Sequence, residues 1–408
     1  MTTASHPQCR LYTGRIKPHL TRRWISPAII TLVALFTQIA AADSLEIKLV
    51  YLEQEIERPP VLSNLVVWPE DEGEQGAIVG VADNNTTGKF LKHDYQIEKV
   101  IVPLDGDVVA TAKSLLEGDK IVIANVSAQN LLLIADLPQA GNDLIFNVGS
   151  LDTRLRSTEC RPNVLHTLPS RAMLTDALMQ FFTQRKWKSI FLLEGNREVD
   201  GYFADSIRQS AKKYRIDIDH EKRWLEDADM RRNAAAEIPV FTQARKYDVV
   251  VVADEDDDFG QYVLYNTWLP RPVAGTAGLE AVGWHGVVEQ WGAAQLQSRF
   301  IKTADRNMTS IDYAAWAAVR SVGEAVTRTG SVSPQALKDY IMSEPFSLAG
   351  FKGTKMNYRH WNGQLRQPIP LVHPQSLVAQ APIEGFLHHT TELDTLGLDQ
   401  PESKCSGM

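Results

Sequence analysis

The most chemically distinctive feature of the sequence is a run of five acidic residues. Residues 254–258 read Asp-Glu-Asp-Asp-Asp and directly follow an apolar segment that ends at Ala253. Ligands in open α/β sheets bind beyond the carboxyl ends of the strands, which is where this run would lie. Clustered carboxylates suit a hard cation such as calcium, or the amine of an organic ligand. The alternative is a solvated loop whose negative charge caps the next helix.

Motifs that carry catalysis or bind nucleotides are absent from the sequence. It contains no G-x-S-x-G, H-E-x-x-H or G-x-x-x-x-G-K pattern. The first apolar segment is followed by Glu-Gln-Glu-Ile-Glu-Arg-Pro-Pro at 53–60, where a dinucleotide-binding loop would need glycines. His388 and His389 have no third ligand at metal spacing, which favours a surface role. We therefore expect no enzymatic activity, no cofactor and no metal ion.

Four tryptophans lie in regions of weak periodicity: Trp68, Trp268, Trp284 and Trp291. Aromatic side chains on loops beside a cleft can stack on a ligand, whereas most tryptophans seal a core or an interface between lobes. Both interpretations stay open from the sequence.

Short apolar segments alternate with helical patterns in two successive blocks. The first block contains strand patterns at 47–52, 100–104, 120–124 and 144–148, with helical patterns at 73–90, 107–116 and 128–137. The pattern restarts after Cys160, with strands at 189–193, 216–218 and 247–253 and helices at 170–185, 202–214 and 231–241. Two further helices at 310–329 and 333–342 precede hairpin-like segments. This alternation predicts an α/β fold with two doubly wound, Rossmann-like lobes.

The first 42 residues have the pattern of a secretory signal peptide. Five basic residues and no acidic ones precede an apolar stretch from Ile25 to Ile39, which ends in Ala40-Ala41-Ala42. The apolar stretch is interrupted and shorter than a membrane span, which argues against an anchor. Arg22-Arg23 leaves twin-arginine export open beside the Sec route. We expect a soluble mature protein in the periplasm.

Loss of this leader makes the chain more acidic. The full chain has 42 basic and 50 acidic residues, a net charge of −8. Removing five basic residues leaves 37 against 50, a net charge of −13. An acidic surface argues against nucleic acid as a partner.

Cysteine usage predicts one disulfide. Cys9 leaves with the leader, so Cys160 and Cys405 remain as an even pair in an oxidising compartment. The alternative is two unpaired, buried thiols.

Several segments resemble type I periplasmic binding proteins of the branched-chain amino-acid (Leu/Ile/Val) class. Residues 76–85 (GAIVGVADNN) are similar to the first helix of that family, and residues 312–319 (DYAAWAAV) and 333–340 (SPQALKDY) are similar to two later helices. Phe351-Lys352-Gly353 stands at the family's F-x-G motif. The resemblance covers roughly residues 45–375. It implies a monomeric, two-lobed substrate-binding protein of an ABC transporter, with a permease in the inner membrane as partner.

A narrower resemblance is to the subgroup associated with PQQ-dependent alcohol dehydrogenase systems. It rests on 159–162 (ECRP), 165–173 (LHTLPSRAM) and 271–276 (RPVAGT). The resemblance does not supply the ligand.

The family resemblance also implies where the lobes and the hinge lie. We expect lobe 1 to contain 43–160 and 273–340, and lobe 2 to contain 163–271 and 345–385, with a tail at 386–408 pinned by Cys405. Three crossings near 161, 272 and 342 would form the hinge.

Polar and aromatic residues at the predicted strand ends are the candidates for ligand contact. In lobe 1 they are Trp68, Asn125, Ser127, Ser150 and Asp152, and in lobe 2 they are Glu194, Asn196, Asp254 and Asp256. We expect a small ligand to bind between the lobes and shift them from open to closed. Two alternatives remain: an accessory or sensor protein that docks on a periplasmic dehydrogenase, and a hydrolase that uses cleft carboxylates.

Overall fold

Two mainly parallel β-sheets, each covered by helices, form the frame of the protein. The computed structural model describes residues 44–58, 68–224 and 230–406, so the predicted leader at 1–42 lies outside the described residues. Within the described ranges, no helix combines the length and the apolar character needed to cross a bilayer. The predicted two-lobed α/β fold is confirmed.

The first sheet is parallel and contains the start of the described chain. Its elements are β1 (Leu45–Gln54), α1 (Glu74–Leu91), β2 (His93–Val102), α2 (Val108–Leu115), β3 (Ile121–Asn125), α3 (Ala128–Ala135), β4 (Leu144–Asn147) and β5 (Val164–His166). The strand order is β2-β1-β3-β4-β5. Strands β3 and β4 are buried almost throughout because helices cover both faces of the sheet. Asp107 and Ser127 cap α2 and α3 by accepting backbone N–H groups of Ala110 and Asn130.

The second lobe begins with the helix that follows β5. Its elements are α4 (Arg171–Arg185), β6 (Ser189–Glu194), α5 (Glu198–Tyr214), β7 (Asp217–Arg223), α6 (Met230–Phe241), β8 (Val249–Ala253), α7 (Gly260–Val263), β9 (Val273–Gly275) and β10 (Leu279–Ala281). Ser170 caps α4 by accepting the backbone N–H of Met173.

The last third of the chain contributes to both lobes. It contains α8 (Ala293–Ala304), α9 (Ser310–Thr329), α10 (Pro334–Ile341), β11 (Leu348–Ala349), β12 (Lys355–Met356), β13 (Ile369–His373) and β14 (Ser376–Ala381). Helices α8 to α10 pack in the core of the first lobe. Strands β13 and β14 extend the second sheet antiparallel, and its order is β14-β13-β10-β9-β8-β6-β7.

Helix α9 packs closely on α1 because two glycines of α1 lack side chains. A Cβ atom at Gly76 would lie 1.9 Å from the carbonyl oxygen of Asp312, and one at Gly80 would lie 2.9 Å from Val319 Cβ. The start of α9 is fixed by Asp312, whose Oδ1 accepts the backbone N–H of Gly73 at 2.7 Å. These contacts join the amino-terminal and late segments into one lobe.

The chain crosses between the lobes later than the sequence predicts. The first sheet extends to His166, and β9 and β10 belong to the second sheet, although 163 and 273 were expected to start lobe 2 and to return to lobe 1. Phe346, Met356 and Leu365 pack in the first lobe's core, whereas 345–385 was assigned to lobe 2. The crossings therefore follow β5, follow β10 and precede β13. Elements of two or three residues are too short for periodicity to reveal which sheet they join.

A disulfide fixes the carboxyl-terminal tail. Cys160 and Cys405 are bonded, with their Cα atoms 5.7 Å apart, as the cysteine count predicts. The bond closes a loop with a sequence separation of 245 residues.

Candidate ligand-binding cleft

Charged residues follow the carboxyl ends of parallel strands in both sheets. Asp256 follows β8. Burial raises the pKa of its carboxyl, whereas the positive charges of Arg197 in the second lobe and of Arg58 in the first lobe lower it. Arg58 follows β1, so a charge at the end of one sheet acts on a carboxylate at the end of the other. Arg58 of the first lobe is therefore near enough to Asp256 of the second lobe for their charges to interact.

On the first lobe, the end of β1 carries a cation stacked on an indole. The Arg58 guanidinium lies 4.8 Å from the ring centroid of Trp68 and 3.1 Å from Glu72 Oε2. Trp68 is half-buried. This pair presents a planar cation and an aromatic surface, which together suit a carboxylate with an apolar body.

Asn125 is held at the end of β3 by a buried hydroxyl. The Tyr51 hydroxyl donates to Glu53 Oε2 at 2.5 Å and accepts a hydrogen bond from Asn125 Nδ2 at 3.1 Å. Burial raises the pKa of Tyr51 well above its usual value, so the hydroxyl keeps its proton. Gly149 allows this packing, because a Cβ atom there would lie 2.3 Å from Asn125 Oδ1. Asn125 remains partly exposed at the strand end.

The other predicted residues of the first lobe have structural partners. Ser127 is exposed and caps α3. Ser150 is buried: its Oγ accepts the N–H of Asp152 at 3.3 Å, and its carbonyl accepts from Arg156. Burial raises the pKa of Asp152, but the hydrogen bonds from Arg154 outweigh this effect and hold the pKa below its usual value. Of this group, Ser127 has the most accessible side chain.

Asp254, the first residue of the acidic run, is a capping residue. Its carboxylate accepts the backbone N–H groups of Asp258, Phe259 and Gly260 at 2.9, 2.8 and 2.6 Å. It is 1% exposed. Asp254 therefore fixes the turn that leads into α7. This role matches the alternative in which the acidic run caps the next helix.

Two arginines pair with three of the other four acids of the run. Arg171 donates to both Glu255 oxygens, with Nε–Oε1 and NH2–Oε2 distances of 2.8 and 2.5 Å. Arg197 Nε lies 2.7 Å from Asp258 Oδ2 and 3.3 Å from Asp256 Oδ2. Among the described residues, no group of three or more His, Cys, Asp or Glu side chains is arranged to hold a metal ion.

Asp257 and Glu280 are two partly buried carboxyls of the second lobe whose pKa values are raised. Burial raises the pKa of Asp257 to about 7, and Asp254, Asp256 and Asp258 add to the shift. Burial also raises the pKa of Glu280 on β10 to about 8, with a contribution from Asp257. Near neutral pH this part of the second lobe therefore holds protons that ordinary carboxyls would release.

The two predicted residues after β6 have different positions. Glu194 pairs with Arg208 of α5 and lies 3.7 Å from Arg223 of β7, so its carboxylate is bound within the second lobe. Asn196 is exposed in the loop that precedes Arg197. Among the described residues, no hydrogen bond or ion pair joins Glu194 to Arg58 or Asp256.

Sequence reasoning missed the arginines of the cleft. Arg58, Arg171 and Arg197 each lie three to five residues beyond a strand, which is the signal that could have identified them. Among the tryptophans, Trp284 is buried and stacked on Tyr313 with ring centroids 4.7 Å apart. Trp268 and Trp291 are 50% and 45% exposed.

Comparison with solved structures identifies the fold. A periplasmic binding protein from Burkholderia mallei matches with a TM-score of 0.62 and 14% identity over 90% of this chain and 99% of that chain. A leucine-, isoleucine-, valine-, threonine- and alanine-binding protein from Brucella ovis in a closed conformation matches with a TM-score of 0.62 and 14% identity over 81% and 90%. A solute-binding protein of an ABC transporter from R. palustris, in complex with benzoate, matches with a TM-score of 0.60 and 11% identity over 89% and 99%.

The fold is therefore that of type I periplasmic binding proteins. The similar structures include binding proteins of ABC transporters. No protein-family model matches the sequence. Comparison with curated protein sequences also finds no match.

Proposed function

We propose that the protein is the solute-binding component of an ABC importer, which closes two lobes around a small ligand and performs no chemistry. The observation that carries this proposal is the two-lobed fold, which most of the chain shares with periplasmic binding proteins. The electrostatic interaction of Arg58 with Asp256, each of which follows the carboxyl end of a strand, supports it, since ligands of open α/β sheets bind at that edge.

The charges of the cleft favour a small ligand with an anionic group and an apolar or aromatic body. Arg58 and Trp68 on the first lobe fit a carboxylate and its attached ring or chain. Asp256 on the second lobe fits an amine or a hydroxyl. Asn125, Ser127 and Asn196, which are at least partly exposed at strand ends, are the further contacts that we propose.

Asp254, Glu194, Ser150 and Asp152 take supporting roles in this proposal. Their side chains are engaged within their own lobes, so they position the loops that meet the ligand. Mutations there would alter binding through the shape of the loop rather than through a lost contact.

Export to the periplasm and delivery to an inner-membrane permease complete the proposed function. The leader pattern at 1–42 supports export, and the link to PQQ-dependent alcohol oxidation rests on the sequence resemblance at 159–173 and 271–276. We propose a monomer, since a permease must contact both lobes of one closed protein.

Thermal unfolding of the mature chain with a ligand panel tests the proposal. The panel contains branched-chain amino acids, benzoate, short acids, alcohols, aldehydes, PQQ, calcium and lanthanides. A ligand at a hundredfold excess over its Kd stabilises the folded state by about 2.7 kcal/mol, which raises the midpoint by several degrees. An unchanged midpoint across all organic compounds would contradict binding of this ligand class. A response to the cations alone would instead indicate a metal-binding protein.

A further inference from the structure

We propose that the carboxyl-terminal strap, residues 391–405, is a fourth and covalent connection between the lobes, which limits their relative rotation while the Cys160–Cys405 disulfide is closed. Three crossings of the main chain already join the lobes in the described structure. This additional link is present whichever ligand the cleft binds.

The first half of the strap is fixed to the second lobe. Thr395 accepts hydrogen bonds from Gln180 of α4 through its Oγ1 at 2.9 Å and from the Tyr214 hydroxyl of α5 through its carbonyl at 2.9 Å. The Gly397 N–H donates to Asp176 Oδ2 at 2.8 Å. Leu396 is fully buried in the core of the second lobe. These contacts make the segment a part of that lobe.

The end of the strap is fixed to the first lobe. Ser403 Oγ donates to the Arg156 carbonyl at 3.1 Å, and the Lys404 N–H donates to Ser157 Oγ at 3.2 Å. The disulfide then joins Cys405 to Cys160. The Cys160 segment is itself held by the first lobe, because Arg161 pairs with Asp136 beside the end of α3 at 2.5 and 2.8 Å.

The strap also contacts residues 359–366, which precede the third crossing of the main chain. Asp394 is fully buried and accepts from Arg359 Nε at 2.8 Å and from Arg366 Nε at 2.8 and 3.0 Å. The neighbouring Tyr358 and Leu365 belong to the core of the first lobe. Residues 391–393 also line a cavity of about 400 Å³ together with Lys352 and Gln380.

These anchors predict how the strap affects the hinge. Only five residues, 398–402, separate Gly397 on one lobe from Ser403 on the other. Rotation of the lobes must stretch this segment or break the contacts of Ser403 and Lys404. While the disulfide is closed, the broken contacts stay at high effective concentration and form again. The strap therefore favours the arrangement of the lobes seen in this structure.

Reduction opens the strap. A dithiol such as dithiothreitol delivers two electrons and two protons to the Cys160 and Cys405 sulfurs and closes its own disulfide. Hydrogen exchange of the mature protein, measured by mass spectrometry with and without dithiothreitol, then reports on the hinge. The reporters are the backbone N–H groups of His166 and Leu365, which pair with Gly363 and His166 carbonyls at 2.9 and 2.8 Å.

We expect reduction to accelerate exchange in the hinge about tenfold, with no change in β3 and β8 at the centres of the two sheets. The Cys160→Ser/Cys405→Ser variant should exchange at the fast hinge rate with or without dithiothreitol, which controls for other effects of the reductant. Unchanged hinge exchange in the reduced wild type would overturn the proposal. Equal acceleration in the hinge, β3 and β8 would also overturn it, because the disulfide would then act on global stability alone.

Discussion

Arg156 and Gln364 meet in the hinge, where Arg156 Nε donates to Gln364 Oε1 at 2.9 Å. The same guanidinium donates to the carbonyl oxygens of Ser150, Asp152 and Leu168 at 2.9, 2.8 and 3.0 Å. Burial lowers the pKa of Arg156 to about 9. Arg156 thus links the end of β4 and the first crossing to the segment that precedes the third crossing by hydrogen bonds.

Replacing this arginine should destabilise the whole protein. Arg156→Met keeps the length of the side chain but leaves several buried carbonyls without donors, so the free energy of unfolding should fall by about 3 kcal/mol. Urea unfolding followed by far-UV circular dichroism measures this change. The control is Arg328→Met on the exposed surface of α9, whose unfolding curve should superimpose on that of the wild type. An unchanged midpoint for Arg156→Met would show that the hinge does not depend on this residue.

Two neighbouring acids of the run should respond differently to loss of charge. Asp254→Asn removes one of the two carboxylate oxygens that accept three backbone N–H groups, so it should reduce the free energy of unfolding by about 2 kcal/mol. Asp256→Asn breaks a half-exposed ion pair with Arg197, which should change that free energy by less than about 0.5 kcal/mol. Urea unfolding of both variants checks the contrast. Equal losses would contradict the assignment of Asp254 as the capping residue and Asp256 as a cleft residue.

Glu280 should make the stability dependent on pH. Its pKa is about 8 in the folded chain because of burial, whereas an exposed glutamate titrates near ~4.3. The folded state therefore binds a proton that the unfolded chain has released. The contribution of Glu280 to stability is fully present below about pH 4 and is lost as the pH rises through about 8.

Comparison of Glu280→Gln with the wild type isolates this contribution. The free energy of unfolding of the variant should rise relative to the wild type by about 3.5 kcal/mol between pH 5 and pH 8. Urea unfolding at a series of pH values provides the measurement. The exposed Glu289→Gln variant is the matched control and should follow the wild-type profile. Parallel profiles for Glu280→Gln and the wild type would show that Glu280 is ionised in the folded state.

The buried parts of the fold were predictable from the sequence. Strands β3, β4 and β8 are covered on both faces, so their apolar runs identify them, and the Ser170 and Gly330 caps define the start of α4 and the end of α9. The edge strands were harder to predict. Strand β7 reads Asp-Ile-Asp-His-Glu-Lys-Arg and was predicted only near 216–218, because an edge strand exposes polar side chains to solvent.

Part of the candidate site was also predictable from the apolar runs of the buried strands. The position of the acidic run after β8 follows from the apolar strand before it. The roles within the run depend on partners that are distant in the sequence, such as Arg171 for Glu255 and Arg197 for Asp256 and Asp258. No local pattern distinguishes a carboxylate that caps a turn from one that faces a cleft, so Asp254 and Asp256 look alike until the fold brings their partners together.

Isothermal titration of the mature protein with the compound that stabilises it most tests the proposed function most directly. We predict one ligand per chain, recovered chemically unchanged by mass spectrometry, and a Kd raised at least about tenfold in both Trp68→Ala and Asp256→Asn. The matched controls are Trp268→Ala and Asp217→Asn, which lie near the amino ends of β8 and β7 and should bind like the wild type. Conversion of the ligand, or equal affinity in all four variants and the wild type, would contradict a binding protein that holds its ligand between these strand ends.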